Sequence, residues 1–327
     1  MHPSLLHDLQ TKTDAGWILR AGRLFSEQVE TWTTLQKTPD YAELCGAARE
    51  QAARCQELPP GELREITEAI LMSSGAPAGL QWLEDSGGLR AFLPELHATV
   101  NFSQEAGRRH KDVWEHTKQV VWQAAPRPVV RWAALLHDIG KVKTRTFTDD
   151  GKVHFHRHSE VGARMFEEIS RRFRFDRETS RTLRFLILHH LRPNQYVESW
   201  TDSAVRRFEK EMGSYLPDLV DLSRADITSR RPGKRQLALC NLDALAGRID
   251  DIRRLDAVTP PLPGGIGDVI MERFRLPPSR LIGDLKRALE AAIAGGEIEA
   301  HQDSAYYLPH VERLLAEIPS TPCVCQE

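Results

Sequence analysis

In the stretch Trp132-Ala133-Ala134-Leu135-Leu136-His137-Asp138-Ile139-Gly140-Lys141, an apolar helix runs into an adjacent histidine and aspartate. Neighbouring helical side chains diverge by roughly a third of a turn, so both can reach one ion just beyond the last turn. Gly140 is expected to stop the helix by taking the left-handed conformation that commonly closes one. An imidazole beside a carboxylate suits manganese, cobalt, nickel, iron or zinc better than calcium. A single His-Asp pair equally fits a histidine finishing a core helix, so its meaning depends on what the rest of the chain supplies.

Working outward, nearly every segment has helical periodicity. Upstream, Asp112 to Ala125 carries Val113, Trp114, Thr117, Val120, Val121 and Ala124 as a stripe, with His116 beside it. Downstream, Thr144 to Phe155 reads as a hairpin turning at Asp149-Asp150-Gly151. His154, His156 and His158 alternate, as on one face of a strand, and His158 is taken as the ligand among them. Helices are expected over Ser159 to Phe173 and Arg177 to Leu191, the second ending in His189-His190, then over Ser203 to Met212 and Tyr215 to Asp226. One long helix, Leu237 to Ala257, and two short ones near Asp268 to Phe274 and Gly283 to Ala294 precede a polar tail. Before the central stretch, Met1 to Leu58 is helical, Pro59-Pro60-Gly61 breaks it, and Glu62 to Met72 resumes it. The class is all-α, a multi-helix fold with one small β-hairpin, flanked by helical N- and C-terminal segments.

With 327 residues the chain can bury a sizeable core, and a net charge of -2 gives no global attraction for nucleic acid. Basic residues are uneven, however. Arg171, Arg172, Arg174, Arg177, Arg181 and Arg184 form one run, and Arg224, Arg230, Arg231, Lys234 and Arg235 another. Each is either a solvated face with charge pairs or a phosphate-binding rim, the latter if it flanks the metal site. Five cysteines without zinc-ribbon spacing read as reduced thiols, and Cys323-Val324-Cys325 as a frayed end. No signal core or membrane-spanning run is visible, so a cytoplasmic protein without membrane contact is expected.

The candidate ligands fall in a definite order: His116, His137-Asp138, His158, His189-His190 and Asp226. Three donors from separate helices would leave open positions for water and a phosphate oxygen, the catalytic arrangement of a metal site. His158 and His190 could complete a second ion position. Singly, His116 reads as a helix histidine and Asp226 as a surface or capping carboxylate. One of His189 and His190 would serve as a substrate contact instead of a ligand.

These residues carry a resemblance. His110-Lys111-Asp112-Val113-Trp114-Glu115-His116-Thr117, Leu135-Leu136-His137-Asp138-Ile139-Gly140-Lys141, His158-Ser159-Glu160-Val161-Gly162-Ala163 and Arg224-Ala225-Asp226 resemble the motifs of the HD phosphohydrolase superfamily. Glu62-Leu63 through Ile70-Leu71, Gly79-Leu80, Trp82-Leu83, Gly88-Leu89 and Leu93-Pro94-Glu95-Leu96 resemble the neck of bacterial CCA-adding tRNA nucleotidyltransferases that carry an HD domain. A fainter match, Ile282-Gly283-Asp284-Leu285 with Gly295-Gly296-Glu297-Ile298, resembles their C-terminal helices. The resemblance implies a helical segment over 1–60, a neck over 61–100, an HD domain over 101–235 and a helical C-terminal segment over 236–327. Residues 1–61 lack the Gly-Ser phosphate motif and paired carboxylates of that family's head, so nucleotide addition is expected to be absent. They are expected to cover the neck's apolar surface or to mediate self-association.

The activity implied is metal-dependent hydrolysis of 2′,3′-cyclic phosphates or phosphomonoesters, with nucleotides or RNA ends as substrates and tRNA as a further candidate partner. His116, His137, Asp138 and Asp226 would hold a first divalent ion and His158 and His190 a second, drawn from manganese, nickel, cobalt, iron or zinc, with magnesium also admitted. Asp138 and Lys141 would be catalytic. Lys141, His189, Arg230 and Arg231 would contact substrate phosphate or RNA backbone. Two alternatives stand beside this reading: a 5′-nucleotidase or dNTP hydrolase, and a non-catalytic tRNA- or RNA-binding module.

Overall fold

A computed structural model of the chain describes residues 14–102, 112–148, 153–229, 231–257 and 260–317. The turn Asp149-Asp150-Gly151, Arg230 and the Cys323-Cys325 tail lie outside the described residues. The protein is all-α with one two-stranded hairpin, and it forms two compact units divided between Asp250 and Asp251.

In the first unit, α1 (Trp17–Glu27), α2 (Val29–Leu35) and α3 (Pro39–Gln51) build against α4 (Pro60–Met72) and α5 (Ala76–Asp85). A Cβ on Gly79 would lie 2.6 Å from the Gly22 carbonyl oxygen, so glycine is what lets the backbones of α1 and α5 approach. The Trp82 indole donates to the Ile18 carbonyl at 2.8 Å, and its ring meets Phe25 edge-on with centroids 5.2 Å apart. Trp17, Phe25 and Trp82 are fully buried, each removal of such a side chain from water contributing roughly 2–3 kcal/mol. The N-terminal helices thus cover the apolar face of α4 and α5, the packing role expected of that segment. Two short helices, α6 (Gly88–Phe92) and α7 (Pro94–His97), follow.

The centre of the unit is α9 (Pro128–Leu136), which follows α8 (Val113–Gln123). Pro128 sits in the first turn, where a missing N–H is tolerated, and every residue from Val130 to Leu136 is buried. A continuous apolar run demands neighbours on all sides, and α9 has them in α4, α8, α12 (Arg177–His189) and α14 (Leu216–Asp226). The one charge in the run, Arg131, donates to the carbonyls of Ala124 and Leu71 at 2.8 and 2.6 Å, tying α9 to the ends of α8 and α4. Asp112 caps α8 by accepting from the N–H groups of Trp114 and Glu115.

After α9 come α10 (Lys141–Thr144) and the antiparallel strands β1 (Arg145–Phe147) and β2 (Val153–Phe155), with Thr146 opposite His154. β2 ends at Phe155, so His154, His156 and His158 do not share a strand face as expected. His154 and His156 stack on each other at 5.2 Å, whereas Arg157 at φ 61° turns the chain and His158 opens α11 (His158–Phe173). α13 (Asp202–Met212) precedes α14, and α15 (Pro232–Ala257) begins five residues earlier than the periodicity indicated.

The second unit holds α16 (Ile266–Phe274), α17 (Arg280–Ala294) and α18 (Ser304–Glu317) around Leu262, Ile266, Ile270, Leu285, Leu289, Tyr307 and Val311. The expected polar tail is corrected here, because α18 forms within it. Tyr307, Val311 and Leu314 are spaced by four and three and face that core, but Pro309 in the middle masks the periodicity.

Candidate metal centre

Five helices deliver six side chains to one place. His116 projects from the first turn of α8, His137 and Asp138 follow the last residue of α9, His158 opens α11, His190 follows α12, and Asp226 ends α14. Gly140 makes this convergence possible, though not as the sequence suggested. Its φ of -68° is right-handed, so no left-handed stop is present. A Cβ there would lie 2.0 Å from the His158 carbonyl oxygen and 2.6 Å from the Gly162 nitrogen, so only glycine lets α11 reach the His137-Asp138 corner.

The six groups divide into two overlapping sets that share Asp138. In the first, His116 Nε2 lies 3.0 Å from Asp226 Oδ1 and 3.5 Å from Asp138 Oδ2, while His137 Nε2 lies 3.2 Å from Asp138 Oδ2 and 3.5 Å from Asp226 Oδ1. The two Nε2 atoms are 3.2 Å apart. In the second, His158 Nε2 lies 3.5 Å from Asp138 Oδ1 and 3.3 Å from His190 Nε2. Within each of the groups His116-His137-Asp138 and Asp138-His158-His190, the candidate donor atoms lie within 4.8 Å of one another, so each could hold an ion.

The other nitrogen of each ring is anchored. Nδ1 of His137, His158 and His190 donates to the carbonyls of Ala134, Phe155 and Ile187 at 2.8, 2.9 and 2.8 Å. His116 Nδ1 meets Thr228 Oγ1 at 3.0 Å. A carbonyl can only accept, so each ring it anchors carries a proton on Nδ1, and whenever the ring is neutral its Nε2 lone pair is turned inward. The inward surface is therefore crowded with acceptors, and Asp138 Oδ1 is buried with no hydrogen-bond partner. Lone pairs and carboxylate oxygens 3.2–3.5 Å apart repel unless a positive charge stands among them.

The electrostatics of the protein carry the same message. Burial disfavours an imidazolium at His137, but Asp138 and Asp226 beside it override that and raise its pKa to about 10. A proton thus stands where a cation would serve equally. At His190, burial, reinforced by the charge on His137, depresses the pKa to about 4, and burial also lowers that of His158. Burial works against ionised Asp138 and Asp226. Even so, His137 and Lys141 beside the first, and hydrogen bonds from His116 and His137 to the second, hold both carboxyls well below the usual range. Mixed imidazole and carboxylate donors with anchored rings fit a borderline divalent ion.

The remaining sequence candidates are less central. Lys141 Nζ lies 2.7 Å from Asp138 Oδ2, the same oxygen that His116 and His137 approach. His189 packs on Phe185 with ring centroids 4.3 Å apart, while its neighbour His190 enters the cluster. Arg231 is exposed, and its N–H donates to Ser229 Oγ. In the first basic run, Arg171 and Arg184 pair with Glu168 and Glu167 as solvated charges, whereas Arg172 is half-buried, binding Glu95 and the Phe92 carbonyl. Thr228 escaped the sequence reading, since a threonine two residues beyond a ligand has no motif of its own.

Residues 101–231 match the HD domain family. The six-residue cluster lies within the matched region. The chain is 32% identical over 270 residues to the A-adding tRNA nucleotidyltransferase of Deinococcus radiodurans, covering 79% of this chain and 59% of that one. It is 32% identical over 269 residues to the CC-adding tRNA nucleotidyltransferase of Thermus thermophilus, covering 80% and 59%. With the multifunctional CCA protein of Pseudomonas aeruginosa the identity is 32% over 190 residues, 54% of this chain and 43% of the relative. The chain thus spans about three fifths of the length of the first two relatives. Among the described residues, no helix is long and apolar enough to cross a membrane.

Proposed function

We propose that this protein is a metal-dependent phosphohydrolase acting on 2′,3′-cyclic phosphates and phosphomonoesters of nucleotides or RNA ends. The observation that carries this reading is the convergence of four Nε2 atoms on the buried Asp138, one of whose oxygens has no hydrogen-bond partner. His116, His137, Asp138 and Asp226 would hold the first ion, and His158 and His190, sharing Asp138, a second. When bound, such ions lower the pKa of water and neutralise charge on a phosphate oxygen.

The chain's own groups prepare that chemistry. Carbonyls of Ala134, Phe155 and Ile187 fix three rings in the tautomer that presents a lone pair inward. Thr228 holds the fourth ring, and Lys141 orients Asp138 while placing a cation at the edge of the site. Burial of His137, Asp138 and His190 excludes bulk water and strengthens each charge on an incoming phosphate. Phosphate esters fit because the site offers positive charge and coordinating positions, with no cysteine or serine in the cluster to act as a nucleophile. The relatives' names make tRNA ends a reasonable member of the substrate class, in a cytoplasmic setting. The domain limits 61–100 for a neck and 101–235 for the phosphohydrolase remain part of this proposal.

The test is hydrolysis of 2′,3′-cyclic AMP by metal-stripped protein re-supplied in turn with Mn²⁺, Ni²⁺, Co²⁺, Zn²⁺ and Mg²⁺. Turnover is expected to require both an ion and His137. Equal turnover by His137→Ala protein, or none with any ion on cyclic, 2′-, 3′- and 5′-phosphate substrates, would remove the proposal.

A further inference from the structure

Beside the metal centre lies a cavity of about 410 Å³ between the end of α14 and the first turns of α15. Asp226 belongs to both the cluster and the cavity wall, so the two are continuous. Beyond Asp226 the wall changes character, passing through Thr228 and Ser229 to Lys234, Leu237, Ala238 and Asn241 on α15. Leu237 is 63% exposed and presents apolar surface on this wall. Lys234 has no ion-pair partner among the described residues, and the Asn241 amide has no side-chain partner among them either.

We propose that this cavity receives the nucleoside of the substrate, a proposal resting on the phosphohydrolase reading above. A nucleoside needs apolar surface for the flat face of a base, a hydrogen-bonding amide or hydroxyl for its edge or sugar, and positive charge near the attached phosphate. Leu237 and Ala238 supply the first, Asn241 and Ser229 the second, and Lys234 the third. The volume lies toward the lower end of the roughly 300–1,000 Å³ usual for small-molecule sites, room for one nucleoside unit. A phosphate engaging the ions that Asp138 and Asp226 would hold would direct its nucleoside along this wall, because Asp226 is where cluster and cavity meet.

Binding, measured by titration calorimetry, tests this without turnover. A phosphonate analogue of adenosine 2′-monophosphate, which has no scissile ester, and inorganic phosphate are titrated into the Mn²⁺-loaded whole chain and into Mn²⁺-loaded Leu237→Asp, Asn241→Ala and Leu255→Ser proteins. Leu255, 65% exposed and also on α15 but outside the cavity wall, is the control for a surface leucine change. The unsubstituted protein is expected to bind the nucleotide at least tenfold more tightly than phosphate. Leu237→Asp should reduce the nucleotide to the level of phosphate, Asn241→Ala should weaken it severalfold, and Leu255→Ser should change neither ligand. Equal affinity for both ligands in the unsubstituted protein, or an unaltered nucleotide affinity in Leu237→Asp, overturns the cavity assignment while leaving the metal centre standing. Failure to bind either ligand overturns both. Competition by a dinucleotide ending in a 2′-phosphate identifies RNA ends as the source, and its absence identifies free nucleotides, in each case with the nucleoside in this cavity.

Discussion

The two halves of the cluster use the same donor chemistry but differ in charge. The His116-His137-Asp226 side brings two imidazoles to its own carboxylate as well as to Asp138, whereas the His158-His190 side has only its share of Asp138. The consequence shows in protonation. His137 is pushed up to about 10 and His190 down to about 4, although both rings are fully buried and both are anchored through Nδ1. What distinguishes them is contact: Asp138 and Asp226 hydrogen-bond directly to His137, whereas at His190 their pull is outweighed by burial and by the charge on His137. The first half therefore demands a cation of some kind, proton or metal, and the second tolerates being neutral.

The largest effect should come from removing what the halves share. Asp138→Ala is expected to abolish binding of both ions and to lower phosphoesterase turnover by on the order of a thousandfold, read by metal analysis and initial rates. Retention of one tightly held ion would break the comparison by showing that the halves do not depend on a common carboxylate. A smaller effect is expected from Thr228→Val, which removes the hydroxyl anchoring His116 and nothing else in the cluster. Metal affinity of the first half should drop about 10- to 100-fold with the second half unaffected, as competition with a chelator would reveal.

The smallest effect is a slope. An ion entering the first half displaces the His137 proton, so its apparent affinity should rise about tenfold per pH unit between roughly 6.5 and 10 and level off above. Affinity at the second half should be flat above the ordinary histidine range, because burial already leaves His158 and His190 neutral there. Linkage gives the metal-free protein the same signature. With the folded pKa of His137 above its unfolded value, that group's stabilisation is fully present below about 6.5 and lost as pH climbs through about 10. Denaturant midpoints across that range provide the check, and a metal-free protein that grows more stable there would reverse the assignment.

Much of this was legible in residue order. The apolar run from Val130 to Leu136 identified the central helix because nothing but full burial accommodates it, and His116, His137, Asp138 and Asp226 stand at helix positions that periodicity located well. Of the alternating triplet, His158 is the one that lies in the cluster, although alternation suggested a shared strand face, whereas Arg157 turns the chain into α11. Gly140 shows a different limit. A glycine after a helix has two uses, and only the packed position of His158 reveals that close approach is the one in force. α18 was hidden because Pro309 and a polar setting weaken its stripe until the second core is seen.

Anchoring each imidazole through Nδ1 has a kinetic side. Ring orientations are settled when the chain folds, leaving little conformational search when an ion arrives. Uptake should then be paced by how fast the incoming ion sheds its water, so sluggish Ni²⁺ would load far more slowly than labile Mn²⁺ or Zn²⁺ even where it binds more tightly. A chelator-stripped sample should refill without refolding, and its occupant at any moment would reflect exchange history as much as affinity.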